Sequence, residues 1–283
     1  MGMPPTMSDP GDTDLVTRLG GTAVPLRPRS MLVLALLTIA GLAMFCWPLL
    51  TQQVSADTGH VTDAPIIFAV TLPLLVLVVL VEFADGGMDS KALAMLGVLS
   101  AIDAALRPTG GGTGGIETVF FLLILAGRVF GAGFGFVLGC TSLFASALVT
   151  AGVGPWLPFQ MLCAAWIGMG AGLLPRRVRG GAEVAMLIGY GVFAAYLFGM
   201  LMNLYSWPFL AGTDIPGHAN LAYVPTDSMW ENLHRFFVYT LVTSTGGWDT
   251  GRAITNALAI GLLGRPVLVV LRRAARRASY DVD

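Results

Sequence analysis

Residues 91–150 decide the fold: KALAMLGVLSAIDAALRP (91–108), TGGGTGG (109–115), IETVFFLLILAG (116–127) and RVFGAGFGFVLGCTSLFASALVT (128–150). Ala92–Leu106 is an apolar run interrupted by Asp103 and closed by Arg107-Pro108. The nine residues RPTGGGTGG hold five glycines, a composition that predicts a loop and no helix. Ile116–Gly127 is strongly apolar but only twelve residues long. A hydrocarbon core takes roughly 20 residues to cross, so this piece cannot span unaided. Arg128 separates it from Val129–Thr150, which is long enough.

The same pattern extends in both directions. Upstream lie Met31–Leu50, the polar loop TQQVSADTGHVTD (51–63) without Lys or Arg, and Ile66–Phe83, closed by Glu82, Asp85 and a Gly-Gly turn. Downstream, the loop AGVGPWLP (151–158) leads to Phe159–Leu174, which stops at PRRVRGG (175–181). Ala185–Tyr205 is the next run, followed by a polar segment over 207–234 and a partly apolar stretch, Phe236–Thr243. The last run, Gly251–Leu271, ends in RRAARR (272–277). Backbone groups in lipid are satisfied only in helices or closed barrels, and these runs lack the alternation of barrel strands. The expectation is an all-α integral membrane protein of about eight transmembrane helices. Composition agrees: 55% of the 283 residues are hydrophobic and 12% charged, with a mean hydropathy of +0.75. Soluble domains carry about 25% charged residues. About thirty polar residues containing Pro4, Pro5, Pro10 and Gly11 precede the first run, so it does not read as a signal peptide.

Basic residues set the orientation. With the N-terminus inside, Arg18, Arg27, Arg29, Lys91, Arg128, Arg176, Arg177, Arg179, Arg272, Arg273, Arg276 and Arg277 are cytoplasmic, twelve of the sixteen. Both termini are then expected in the cytoplasm of a cell whose plasma membrane the chain crosses several times. Cys46, Cys140 and Cys163 lie in apolar runs and read as packing residues, not a disulfide framework. The single lysine, Lys91, sits in GGMDSK, which is not a phosphate-binding loop, so any ATP would be hydrolysed by another subunit. His60, His218 and His234 have no metal-ligand spacing, and no nucleophile or carboxylate motif lies within one span. Neither an enzyme, nor a cofactor, nor a metal site, nor a nucleic-acid partner is indicated.

From Lys91 to Arg273 the chain resembles the six-helix core of the substrate-binding S components of energy-coupling factor (ECF) vitamin transporters. The resemblance rests on a first helix ending in arginine (AIDAALRP, 101–108), a short second helix and a glycine-punctuated third (ILAGRVFGAGFGFVLGCTSLFASALV, 124–149). A tryptophan loop leads into the fourth helix (GVGPWLPFQMLCAAWIGMGAGLLP, 152–175), a basic turn precedes the fifth, and a polar segment (STGGWDTGRAITNA, 244–257) opens the sixth. It implies a division into a disordered cytoplasmic tail (1–29), two leading transmembrane helices (30–90), the substrate-binding membrane core (91–273) and a cytoplasmic tail (274–283). The leading helices depart from the six-helix pattern. An S component captures a vitamin or similar micronutrient from outside, then associates with a membrane T component and two ATPase subunits and topples to release it inside. Cobalamin is the first expectation, because the family includes cobalamin binders and the segment 207–247 is large. The resemblance places a T-component contact at small residues of the first core helix. Gly97, Ala101 and Ala105 repeat every four residues and share a face; packing against the protein's own helices is the alternative.

The resemblance also places the substrate in the outer half, between the loops and the fourth to sixth core helices. The polar and aromatic residues at that level are Asp103, Arg107 and Glu117 around the glycine loop, and Trp156 and Gln160 at the start of the fourth core helix. Asn203 and Tyr205 end the fifth, and Trp248, Asp249, Arg252 and Asn256 open the sixth, with the last three on one face. Each has a plainer reading: Asp103 and Arg107 as an i, i+4 pair, Asp249 as a helix N-cap, the tryptophans as interface anchors. A self-sufficient secondary transporter and a membrane enzyme are the competing classes. The first is disfavoured by the absence of an internal repeat between Met31–Leu106 and Ile116–Leu271.

Overall fold

The computed structural model describes residues 28–50, 90–110, 113–210, 221–224 and 226–279. The tail through residue 27, the loop Gln52–Asp63, the run Ile66–Phe83 and residues His60 and His218 lie outside them. The described α-helices are α1 (Pro28–Leu50), α2 (Ser90–Leu106), α3 (Val119–Phe130), α4 (Ala132–Val149), α5 (Leu157–Leu173), α6 (Gly180–Ser206), α7 (Met229–Thr240) and α8 (Thr250–Ser279). No strand occurs among the described residues. α7 and α8 form one rod, continuous through a π-helical stretch, Leu241–Asp249.

The apolar surface identifies the solvent these helices are built for. Leu32, Leu36 and Ile39 of α1 and Leu258, Leu262 and Val270 of α8 are exposed, a pattern a water-soluble protein of this size would bury. By length and composition α4, α6 and the rod Met229–Arg276 suffice to cross a membrane, while α3 and α5 are apolar but shorter. The chain is an all-α integral membrane protein. Nearly all of α3 is buried, which is how so short a helix survives without spanning lipid alone. Two sequence expectations need adjustment. Arg128 does not end a helix: it lies within α3, and the break falls at Gly131 (φ 108°, ψ 173°). The glycine loop contains two 3-10 turns, Arg107–Gly110 and Thr113–Gly115, instead of being wholly non-helical.

The centre of the bundle is a three-way contact of α3, α4 and α5 made through backbone. A Cβ at Gly127 or Gly135 would overlap the carbonyl of Gly168, and one at Gly168 would overlap that of Gly135. Gly139 lies equally tight against the backbone at Ala164. Small residues at such positions let helices approach to the limit set by main-chain atoms. Gly168→Leu is therefore expected to lower the melting temperature sharply, by about 1–3 kcal/mol or more of stability. Gly189→Leu, where a Cβ meets nothing within 4 Å, should melt like wild type. Thermal denaturation of the two purified variants checks this.

α1 joins this block directly. Phe45 is fully buried, its ring 4.8 Å from that of Phe159 and 5.7 Å from that of Trp166. α6 is tied to α5 by Tyr190, whose hydroxyl donates to the Ile167 carbonyl at 2.8 Å.

Candidate functional site

The glycine loop positions the first member of the site. Gly115 has φ +78°, a conformation that side chains rarely adopt, and a Cβ there would run into the carbonyl of Trp248. Gly251 is packed just as closely on the carbonyl of Gly114. These two contacts lay the loop across the junction between the π-helical stretch and α8. Glu117, two residues beyond Gly115, thereby reaches Arg252 and pairs with its Nε.

Arg252 is the hub. Its Nη1 donates to Asp249 Oδ1 at 2.8 Å, and its guanidinium carbon stands 4.8 Å from the Phe198 ring centre and 5.8 Å from that of Phe120. Stacking on aromatic faces suits a planar, weakly hydrated cation held away from water. Asp249 also accepts from the Ser244 hydroxyl at 2.6 Å. Gly199 of α6 leaves room for this carboxylate, since a Cβ there would overlap it. Glu117 and Asp249 together carry one more negative charge than Arg252 balances. Because the helix runs unbroken through residue 249, Asp249 is not an N-cap.

One turn along α8, Asn256 is fully buried, and neither of its amide atoms has a hydrogen-bond partner among the described residues. Buried polar groups are nearly always paired, so this amide stands out as unsatisfied by the fold. Asn203 Nδ2, near the end of α6, is likewise buried and unpartnered among the described residues. Tyr205 stacks on Phe159 with ring centres 4.1 Å apart.

The expected residues thus separate into groups. Glu117, Asp249 and Arg252 are joined, with Asn256 next to them. Arg107 and Gln160 are joined through a 2.9 Å hydrogen bond from Nη2 to Oε1, so Arg107 does not spend that donor on Asp103. Asp103 is buried between α2 and α4. Trp156 and Trp248 are 45% and 49% exposed and face outward. Trp248 precedes Asp249 by one residue, which turns it about 100° away from the inward face. Gly97, Ala101 and Ala105 are exposed along α2, and a Cβ at Gly97 meets nothing within 4 Å.

Sequence reasoning missed a second buried charge cluster. Arg128 Nε donates to Glu183 Oε1 at 2.7 Å, and its Nη1 and Nη2 donate to the carbonyls of Leu174, Pro175 and Val178. Arg272 Nη2 donates to both Glu183 oxygens, at 2.6 and 2.8 Å. One signal was visible: Glu183 is the sole acid between Glu117 and Asp214. Trp207 is fully buried, its indole N–H donating to the Leu221 carbonyl at 2.8 Å. Its ring contacts Tyr223 and Phe236, and burial pushes the Tyr223 phenol above its ordinary pKa.

The family model of the ECF transporter substrate-specific component matches residues 91–271, well over half of the chain. The chain belongs to this family. No curated protein and no solved structure matches it. As an S component it is the substrate-binding subunit of a transporter, a class of protein that is not enzymatic. The match begins at α2, so α1 lies outside it.

Proposed function

We propose that this S component captures a vitamin or related micronutrient at the Arg252 end of the bundle, with Asn256 and Arg252 as its principal polar contacts. The observation that carries this reading is the orphaned Asn256 amide, fully buried one turn from the Glu117–Arg252–Asp249 cluster. Glu117 and Asp249 hold Arg252 in place, and Arg107, Gln160, Asn203 and Tyr205, at the ends of neighbouring helices, are the further polar and aromatic groups assigned to this end. A few polar groups among aromatic rings suit a large, mostly uncharged ligand. Cobalamin is the first to test, because the family includes cobalamin binders and the segment 207–247 is long in sequence. In this reading the Arg252 end faces outward and both termini are cytoplasmic in the plasma membrane. The decisive experiment is to purify the full chain and identify the small molecule that accompanies it. A protein that copurifies with no small molecule and binds no vitamin, cobalamin included, would overturn the reading.

Delivery requires partners. The exposed stripe Gly97, Ala101 and Ala105 is where a T-component helix would pack, with two ATPase subunits supplying energy. Ala101→Leu is expected to abolish energised uptake in cells containing the T component and ATPases, while substrate binding by the isolated protein stays within about twofold of wild type. Parallel uptake and binding assays check this. Equal loss of binding would mean the stripe packs within this chain.

A further inference from the structure

α2 and α4 meet along a polar seam inside an otherwise apolar bundle. At one level the Ser100 and Thr141 hydroxyls share a 2.7 Å hydrogen bond. One turn further along α2 stands Asp103, fully buried, with the Ser142 side chain beside its carboxyl but outside hydrogen-bond geometry. Ser146 follows Ser142 by one turn on the same face of α4 and is also fully buried. Both Asp103 oxygens and both serine hydroxyls lack a hydrogen-bond partner among the described residues. Arg107, the charged neighbour on α2, gives its Nη2 donor to Gln160.

The two carboxylate oxygens of Asp103 and the two serine hydroxyls, all buried and without a hydrogen-bond partner among the described residues, form a receiver for a cation. An ionisable side chain at membrane depth is costly unless partnered, and such residues mark ion sites. The donors are all hard oxygens, which select alkali and alkaline-earth ions over softer metals. A single carboxylate balances a single positive charge; divalent sites of this kind gather several. We propose that Asp103, Ser142 and Ser146 bind a monovalent alkali cation, and that it is sodium. The 2.7 Å contact between Ser100 and Thr141 holds the helices close at the adjoining level, which favours the smaller ion. The bound ion ties α2, with its exposed Gly97–Ala101–Ala105 face, to the α3–α5 block. This site lies between α2 and α4, whereas the Arg252 cluster joins the glycine loop and α8, and the Arg107 guanidinium is a charged neighbour of both Asp103 and Glu117.

The test uses full-length protein in detergent, melted at equal ionic strength in sodium chloride, potassium chloride or N-methylglucamine chloride. Sodium should raise Tm saturably above the other two salts. Asp103→Asn, which removes the charge and keeps the shape, should melt alike in all three. Ser142→Ala should raise the half-saturating sodium concentration about tenfold, the loss expected for one oxygen beside a charge. Identical melting of wild type in the three salts would overturn the proposal. So would an unchanged sodium response in Asp103→Asn. If Asp103→Asn does not fold, an unchanged response in both Ser142→Ala and Ser146→Ala overturns it equally. A wild-type Tm indifferent to sodium but rising on acidification would assign a proton to the site in place of the ion.

Discussion

Glu183→Ala should lose about 3–5 kcal/mol of stability and most of the folded protein, because it leaves Arg128 buried without its counter-charge. The side chains of Arg128 and Glu183 are 4% and 2% exposed, so water cannot replace the lost partner. Arg128 also fastens three carbonyls at and beyond the end of α5, whose unsatisfied C=O groups favour a cation. One guanidinium therefore holds α3, the α5–α6 turn and α6 together. Arg272→Ala should cost far less, since that side chain is 44% exposed and its loss still leaves Glu183 paired with Arg128. Size-exclusion yield and thermal denaturation in detergent distinguish the three proteins. Wild-type melting of Glu183→Ala would show that the cluster contributes little.

The second large effect separates two neighbours on α8. Asn256→Ala should weaken binding of the copurified small molecule roughly fivefold to tenfold, the value of one buried hydrogen bond, with no loss of stability. Its amide has no protein partner among the described residues, so removing it breaks nothing within the fold. Arg252→Ala should behave differently. It strips Glu117 and Asp249 of their cation at once and should cost several kcal/mol of stability before any affinity can be measured. Calorimetric titration of each folded variant, beside its melting curve, reads both quantities. If Asn256→Ala binds like wild type, the amide does not face the ligand.

What the sequence disclosed and what it hid follow from the range of the interactions. Hydropathy runs located the described helices other than α7, whose first two turns fall in the segment read as polar, because burial in lipid or protein demands an apolar stretch whatever its neighbours do. The inward face Asp249–Arg252–Asn256 was legible for a similar reason: helical spacing fixes which side chains share a side. Charged residues were misread where their partners lie far along the chain. Arg128 looked like a boundary because it interrupts an apolar run, yet its partner Glu183 is 55 residues away and allows it to stay inside. The Glu117–Arg252 pair spans 135 residues and could not be read from local spacing. For Asp103 and Arg107, four apart, a local pair was one of two readings, and spacing could not disclose that Arg107 gives its Nη2 hydrogen bond to Gln160 on α5. The π-helical stretch left no mark, because its residues differ from those of an ordinary helix only in which carbonyl each amide selects.

The main-chain contact of Gly127, Gly135 and Gly168 also limits how the protein can move. Packed helices slide past one another when interdigitated side chains exchange rotamers and absorb the displacement. Here there are no side chains at the contact to do so. Rotating α4 about its own axis would bring Phe134 or Phe136 into space that admits only a hydrogen atom. α3, α4 and α5 therefore act as a single rigid lever, and reorientation in the bilayer must turn all three together, with any flexing left to the helices around them.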